Sequence, residues 1–404
     1  MNVLVLNCGS NTRARFAVIE TRSGEERAAG LAQALDAERG SLEWTAAGRH
    51  RTLRLAGAGL EGAVHAVADL LRETGLASEL AGIGHRVVHG GARFSDSTRV
   101  TEEVVDRIRA CIPLGPLHNP PNLIGIQVAQ QLFPELPQVA VFDTAFHQTM
   151  PPRAYLYAVP YEWFERHEVR RYGFHGASHR YVSQAAVRRL GLDPDDHAVV
   201  TAHLGYGCSL AAVRDGKSMD TTMGLTPVDG VVMGTRSGSI DPSIITHMSQ
   251  ALGLDAHEVM DVLNRKSGLL GISGLSDDMQ VLQAAADGGH HRAALAIEKF
   301  CHSVAKTAAG MVVSLGRFDA LVFTGGIGEK AARVRGKIVE LLGFLGLELD
   351  SEANALHGEP LAGRITSSVR PQAIVVPTNE ELVIAMDAAR VIEVAASPGE
   401  RSRT

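Results

Sequence analysis

VVTAHLGYGCSLAAVRDGKSMDTTMGLTPVDGVVMGTRSGSIDP, residues 199–242, is the stretch that decides the fold. A short apolar run ends in Thr201 and Ala202, turns through His203-Leu204-Gly205-Tyr206-Gly207 and resumes as Cys208-Ser209-Leu210-Ala211-Ala212-Val213, which reads as strand, glycine turn, strand. Two glycines around one residue let the backbone turn sharply and approach a ligand, because neither carries a Cβ. Such a turn aims several N–H groups at one point and suits phosphate or another oxygen-rich anion; a plain hairpin has the same pattern. Further on, Gly234-Thr235-Arg236-Ser237-Gly238 sets a guanidinium among small residues, a fork of donors shaped for phosphate or carboxylate.

The N-terminus repeats the layout. Val3-Leu4-Val5-Leu6 leads through Asn7-Cys8-Gly9-Ser10 to Phe16-Ala17-Val18-Ile19, roughly two hundred residues earlier. An internal duplication is expected, with two similar halves facing each other across a cleft. Each would offer a phosphate-binding hairpin to a nucleoside or polyphosphate held between them.

A chain of 404 residues has room for two domains, and 45% hydrophobic with 21% charged residues is an ordinary globular composition. A net charge of −6 gives no reason to expect nucleic acid or an anionic membrane as partner. MNVLVLNCGS has no basic n-region and reads as a first strand. No apolar run reaches the ~18 residues of a spanning helix, so cytoplasm is the default location. Cys8, Cys111, Cys208 and Cys301 form no Cys-x-x-Cys pair and read as buried free thiols.

Several strand ends carry chemistry. Leu60–Leu71 has helical apolar spacing, and Ile83–Gly91 reads as a strand that leaves through glycines with Arg86 inside it. A guanidinium there is costly to bury alone, so it either pairs with a carboxylate or serves a ligand; the ligand is favoured. Pro113–Asn122 is a rigid loop opening a helix at 123–132, with His118 as a capping or packing residue. The strand Gln138–Phe142 ends in Asp143, where open α/β sheets bind ligands, unless Asp143 caps the next turn. After Met150 an aromatic-rich patch marks the crossing into a second domain. His175 lies between glycines ahead of a helix at 181–190, and long helices follow Pro242, the longest at 292–315. The strand 319–324 enters a helix through Gly325-Gly326-Ile327-Gly328-Glu329, a layout suited to nucleotide. No Gly-x-x-x-x-Gly-Lys-[Ser/Thr] occurs, which argues against a P-loop enzyme. Glu380 and Glu381 open the final helix, where carboxylates are ordinary dipole partners, and residues 397–404 read as a disordered tail.

Taken in order, Asn7-x-Gly9-Ser10, His85–Gly91, Pro116–Pro120, Phe142–His147, Tyr172–Gly176, His203-Leu204-Gly205, Gly234–Gly238, Gly326–Glu329 and Thr378–Glu381 strongly resemble the acetate kinase (acetokinase) family of short-chain carboxylate kinases. The resemblance implies the duplicated ribonuclease-H-like α/β fold of actin, sugar kinases and chaperone ATPases, two domains around a central cleft. It assigns 1–150, with a helix at 379–396 packing back on it, to the first domain and 151–378 to a nucleotide-binding second. It implies transfer of the terminal phosphoryl group of ATP to acetate, giving acetyl phosphate and ADP, with Mg²⁺ or Mn²⁺ and as a homodimer. Arg86 and Arg236 would hold carboxylate and phosphoryl oxygens, His175 would donate to the oxygens in flight, and Asp143 is the family's catalytic acid. Asn7 and Glu380 would organise the metal. Val88, Leu117, Phe174 and Pro227, with His118, would form the substrate pocket. Arg15, His203, Leu204, Gly205, Tyr206, Gly207, Asp278, Met279, Gln280, Gly326, Ile327, Gly328, Glu329 and Lys330 would bind nucleotide. The acceptor, a carboxylic acid with a pKa near 4, is already ionised at neutral pH, so the nucleophile needs no base. Asp143 is therefore expected to orient the arginines or metal and not to remove a proton.

Four departures from the family pattern fall on the donor side. The segment Asn11-Thr12-Arg13-Ala14-Arg15 is one residue longer, with Arg15 standing for a lysine; Tyr206 replaces asparagine; Gln280 ends the usual Asp-Phe-Arg; and Lys330 follows Glu329. They raise the expectation of drift towards pyrophosphate or another donor. Propionate or butyrate kinase is the near alternative. A nucleotide-switched binding protein without turnover is the alternative from another class.

Overall fold

The computed structural model describes residues 1–396; the tail at 397–404 lies outside the described residues. The chain divides into two compact units, Met1–Phe146 with Asn379–Thr404, and His147–Thr378.

The first unit holds β1 (Asn2–Ser10), β2 (Arg13–Glu20), β3 (Glu25–Gln33), β4 (Ser41–Ala46), β5 (Arg49–Arg54), β6 (Leu80–Val87), β7 (Thr98–Arg99) and β8 (Gln138–Phe142) in the sheet order β5-β4-β3-β2-β1-β6-β8-β7. The second holds β9 (Ala198–Leu204), β10 (Cys208–Arg214), β11 (Lys217–Thr221), β12 (Ala320–Thr324) and β13 (Gln372–Val375) in the order β11-β10-β9-β12-β13. The stretch β3-β2-β1-β6-β8 follows the plan of the second sheet: three antiparallel strands, then two parallel to the first of them. The duplication read from the two hairpins is thus present in strand order and direction.

Side-chain alternation explains how one strand supports two layers. On β1, Leu4 and Leu6 join the core that includes Leu60, Val64, Val67 and Leu71 of the helix Gly59–Glu73. Val3 and Val5 face the other way, with Ile384, Ala385, Ala388 and Ala389 of the helix Glu380–Ala396. Each valine, leucine or isoleucine among them taken out of water stabilises the fold by about 1.5–3 kcal/mol.

Two helices near the crossings between units differ in whether packing follows chain order. Gly176–Leu190 follows β8 and packs on β9 and β12, whereas Glu380–Ala396 follows β13 yet packs on β1, β6 and β8. Gly84 makes the second packing possible, because a Cβ there would stand 2.8 Å from Ile384 Cγ2.

Some boundaries differ from the periodicity. The helix expected from 181 starts at Gly176, and the one expected from 123 starts at Asn119, with prolines tolerated in its first turn. Of the cysteines, Cys8, Cys208 and Cys301 are buried and Cys111 is half-buried. Among the described residues, no helix is long and apolar enough to cross a membrane.

Candidate functional site

In the first unit, the ends of β1, β6 and β8 and the start of the last helix bring Asn7, Arg86, Asp143 and Glu380 together. Arg86 grips Asp143 with a two-pronged fork, Nε to Oδ1 at 3.0 Å and Nη2 to Oδ2 at 2.6 Å, while Nη1 donates to Asn7 Oδ1 at 3.3 Å. Of the two options for Arg86, a carboxylate partner is present in the structure, and it does not exclude service to a ligand. Burial would lower the guanidinium's proton affinity, but the charges of Asp143 and Glu380 outweigh it and raise the pKa. Nor does Asp143 cap a turn.

Glu380 is half-buried, and its carboxyl is pushed up to about 7, first by burial and then by Asp143 and Glu381, against the pull of Arg86 and Arg15. Negative charge here exceeds what the arginines neutralise. The oxygens of Asn7, Asp143 and Glu380 are therefore a hard-ligand set that fits Mg²⁺, which takes one or two carboxylates and completes its shell with substrate oxygens. Among the described residues, no group of three or more His, Cys, Asp or Glu converges as a full protein cage.

The loop before the helix Asn119–Leu132 fastens this region. His118 Nδ1 donates to the Gly9 carbonyl at 2.8 Å, Asn122 Nδ2 donates to the Cys8 carbonyl at 2.8 Å, and Asn122 Oδ1 accepts from Val88 N at 3.0 Å. Neither a side-chain cap nor a core histidine, His118 pins the turn that follows Asn7. Val88 is buried, whereas Leu117 is 44% exposed. Arg15 lies on β2 with Glu381 Oε1 at 3.6 Å and is not among the residues lining the cavity described below. The pairing of β1 with β2 shifts register between Asn7 and Ser10.

In the second unit the β9–β10 turn is the centre. A Cβ on Gly207 would stand 3.5 Å from Arg236 Nη1 and 3.6 Å from His175 Nε2, so a cation and an imidazole meet at the glycine. Arg236 donates to the Pro227 carbonyl at 3.2 Å, and among the described residues no carboxylate pairs with it. Burial lowers its pKa, with Tyr206 and Cys208 opposing. A largely buried guanidinium without a counter-ion is an anion site. His175 occupies the left-handed region, φ 58° and ψ 27°, directly before the helix Gly176–Leu190. That conformation is uncommon outside glycine and clusters at functional sites. Phe174 is buried beside it.

A buried polar network backs His175. Its Nδ1 is 2.8 Å from Ser209 Oγ, which is 2.8 Å from His179 Nε2, and His179 Nδ1 is 2.7 Å from Thr201 Oγ1. His203 stacks on His175 at 4.3 Å between ring centroids and bonds Ser178 Oγ through Nδ1 at 2.8 Å. Ser209, His179 and Thr201 escaped the sequence reading. Thr201 and Ser209 are polar residues in largely buried strands, and His179 is a buried residue in the first turn of the helix Gly176–Leu190.

A cavity of about 420 Å³ gathers Gly205, Tyr206, Asp278, Met279, Gln280, Gly326, Ile327 and Lys330, all foreseen, and adds Asp277, Gln283 and Ala331. Three of the four departures line it. Tyr206 is 63% exposed and anchored by its hydroxyl to Thr235 Oγ1 at 3.2 Å. Asp278 caps the helix Met279–Asp287. The remaining nucleotide candidates hold the frame: Leu204 and Gly328 are buried, and Glu329 Oε1 accepts from Gly325 N at 3.0 Å and Thr378 N at 3.2 Å.

Comparison with known proteins identifies the family. The Acetokinase family profile matches residues 2–386. Acetate kinase of Deinococcus radiodurans is 48% identical over 392 residues, covering 97% of this chain and 98% of that protein. Acetate kinase of Ectopseudomonas mendocina is also 48% identical, over 97% of this chain and 99% of its own. Among solved structures, a propionate kinase from Francisella tularensis superposes with a TM-score of 0.91 at 45% identity, covering 96% of this chain and 98% of that one. Porphyromonas gingivalis acetate kinase superposes with a TM-score of 0.88 at 40% identity, covering 97% and 99%. With motifs, strand order and near full-length similarity in accord, the chain belongs to the acetokinase family.

Proposed function

We propose that this protein is an acetate kinase: it moves the terminal phosphoryl group of ATP to acetate, reversibly, giving acetyl phosphate and ADP. The P–O bond to the ADP leaving oxygen breaks as a P–O bond to an acetate oxygen forms. The observation that carries this reading is the meeting of Arg236 and His175 at Gly207, a cation without a carboxylate partner beside an imidazole.

The acceptor is already an anion, so no base is needed, and catalysis reduces to alignment and neutralisation of charge. Arg236 would hold phosphoryl oxygens, His175 would donate to them from Nε2, and Arg86, held by Asp143, would bind the acetate carboxylate or phosphoryl oxygens. The fork on Arg86 supports an orienting role for Asp143. Asn7, Asp143 and Glu380 would hold Mg²⁺, which supplies charge neutralisation on the phosphates when bound. Val88, Leu117, Phe174 and Pro227 would surround the acetate methyl.

The cavity lined by Tyr206, Gln280 and Lys330 has the volume of a nucleoside site, which favours ATP over pyrophosphate. We read the two units as ribonuclease-H-like domains with nucleotide in the second, in a homodimer acting in the cytoplasm. A hydroxamate assay over short acids and phosphoryl donors tests the reading. Acetate with ATP and Mg²⁺ is expected to be the best pairing; no hydroxamate from any acid with ATP would overturn it. Because one methylene changes selectivity by only about 1–3 kcal/mol, propionate is expected as a poorer acceptor.

A further inference from the structure

We propose that Ser209 and His179 are positioning residues for His175: with Thr201 they form a directional hydrogen-bonded chain that puts the ring proton of neutral His175 on Nδ1. His175 Nε2 then donates to a phosphoryl oxygen only as the imidazolium. The link to phosphoryl transfer rests on the function proposed above; the chain itself does not.

The direction follows from counting protons. Thr201 has one hydroxyl proton, and we place it towards the Ala211 carbonyl at 3.3 Å, a group that can only accept. Towards His179 Nδ1, 2.7 Å away, its oxygen can then only accept, so that nitrogen carries a hydrogen. A neutral imidazole with its proton on Nδ1 accepts at Nε2, so the Ser209 hydroxyl, 2.8 Å away, donates to it. With its single proton spent, Ser209 Oγ accepts from His175 Nδ1 at 2.8 Å. Burial, reinforced by His147 and His203, holds the His179 pKa well below its ordinary value, which keeps this link neutral. His179, Thr201 and Ser209 are fully buried, so water does not compete for these bonds.

The titratable and charged groups around His175 come from every element that packs on it. Arg236 meets it at Gly207, and His203 of β9 stacks at 4.3 Å. His179 of the following helix lies at 6.4 Å and is itself 5.6 Å from His147, between ring centroids. Cys208 of β10 is a thiol pushed up to about 12 by burial and takes no part.

The test uses the full-length protein labelled with ¹⁵N-histidine. Long-range proton–nitrogen spectra, with His175 assigned through His175→Asn, are expected to show neutral His175 protonated on Nδ1. Neutral His175 carrying its proton on Nε2 overturns the proposal, whatever the enzyme's activity. In parallel, wild-type turnover is expected to fall about tenfold per pH unit once the ring has lost its proton. Ser209→Ala removes the acceptor at Nδ1, lets the neutral ring carry its proton on Nε2, and is expected to flatten that fall; Ser209→Thr keeps the hydroxyl and the wild-type profile. A Ser209→Ala profile parallel to wild type would mean the hydroxyl is only structural and would also overturn the proposal. If Ser209→Ala fails to fold, the wild-type spectrum still decides. Absence of turnover at every pH would count against the proposed function and leave the spectral reading standing.

Discussion

Arg86 and Arg236 are one side-chain type in opposite surroundings, and the difference predicts opposite stability effects. Arg86 is 17% exposed and paired with Asp143, itself 3% exposed. Arg86→Ala leaves that carboxylate buried and alone, which costs about 3–5 kcal/mol when one partner of a buried pair is removed. Arg236→Ala strands no carboxylate, so its melting temperature is expected to stay level or rise. Both variants should lose turnover by roughly 10²-fold or more, as when a donor aimed at developing charge is removed. Paired thermal melts and hydroxamate assays check this; near-normal kinetics in either variant removes that arginine from the mechanism. Glu380 adds a pH dependence. Its folded pKa, about 7, lies above the ordinary 4.5, so the native state keeps a proton that the unfolded chain releases between those values. Stability therefore falls as pH rises through that window. Glu380→Gln lacks the effect, so its melting temperature relative to wild type should climb from pH 4 to pH 8. A constant difference would mean that solvent reaches the carboxyl well enough to keep its pKa ordinary.

Turns and helix starts carry the site. At the β9–β10 turn, a Cβ on Gly207 would make ordinary van der Waals contacts, 3.5 Å to Arg236 Nη1 and 3.5 Å to His175 Cε1. Gly207→Ala should therefore melt like wild type, yet lose at least about tenfold in turnover, equivalent to ~1.4 kcal/mol of transition-state stabilisation. Loss of both stability and activity would show the glycine to be needed for the fold itself. This turn was legible in the sequence because continuous apolar runs flank it and Gly-x-Gly interrupts them. The first turn of the helix that starts at Gly176 was not: Gly-Ala-Ser-His has no apolar periodicity, and a glycine at its head reads as a breaker. The strands β3 to β5 went unread as well, and every residue of β5, RHRTLR, is exposed and leaves no apolar face to find. The Arg86–Asp143 fork joins residues 57 apart, and the Ser209–His179 contact joins residues 30 apart. Local pattern names such residues but does not pair them.

The chain crosses between units twice, after Phe146 and after Thr378, and the second crossing supplies the first unit's last helix out of sequence. The helix Glu380–Ala396 is the last described element, yet it covers Val3, Val5, Val139 and Val141 of the first sheet. Gly82 and Gly84 on β6 let it lie close, because a Cβ at Gly82 would stand 2.3 Å from Ile392 Cδ1. It also carries Glu380 to the site, so folding of the first unit and assembly of the Asn7–Arg86–Asp143 cluster depend on the same seventeen residues. A chain ending at Thr378 would leave that sheet face bare. Hydrophobic patches of this kind drive association, so the truncated chain should aggregate, or melt without the first unit's cooperative transition. Ile384→Ala, a milder form of the same lesion, should cost about 2–5 kcal/mol. Melting of the full chain, the truncation and Ile384→Ala, followed by circular dichroism, would test this. A truncated chain that stayed soluble with an undiminished transition would make the helix an appendage, and the double crossing would then be a feature of chain order alone.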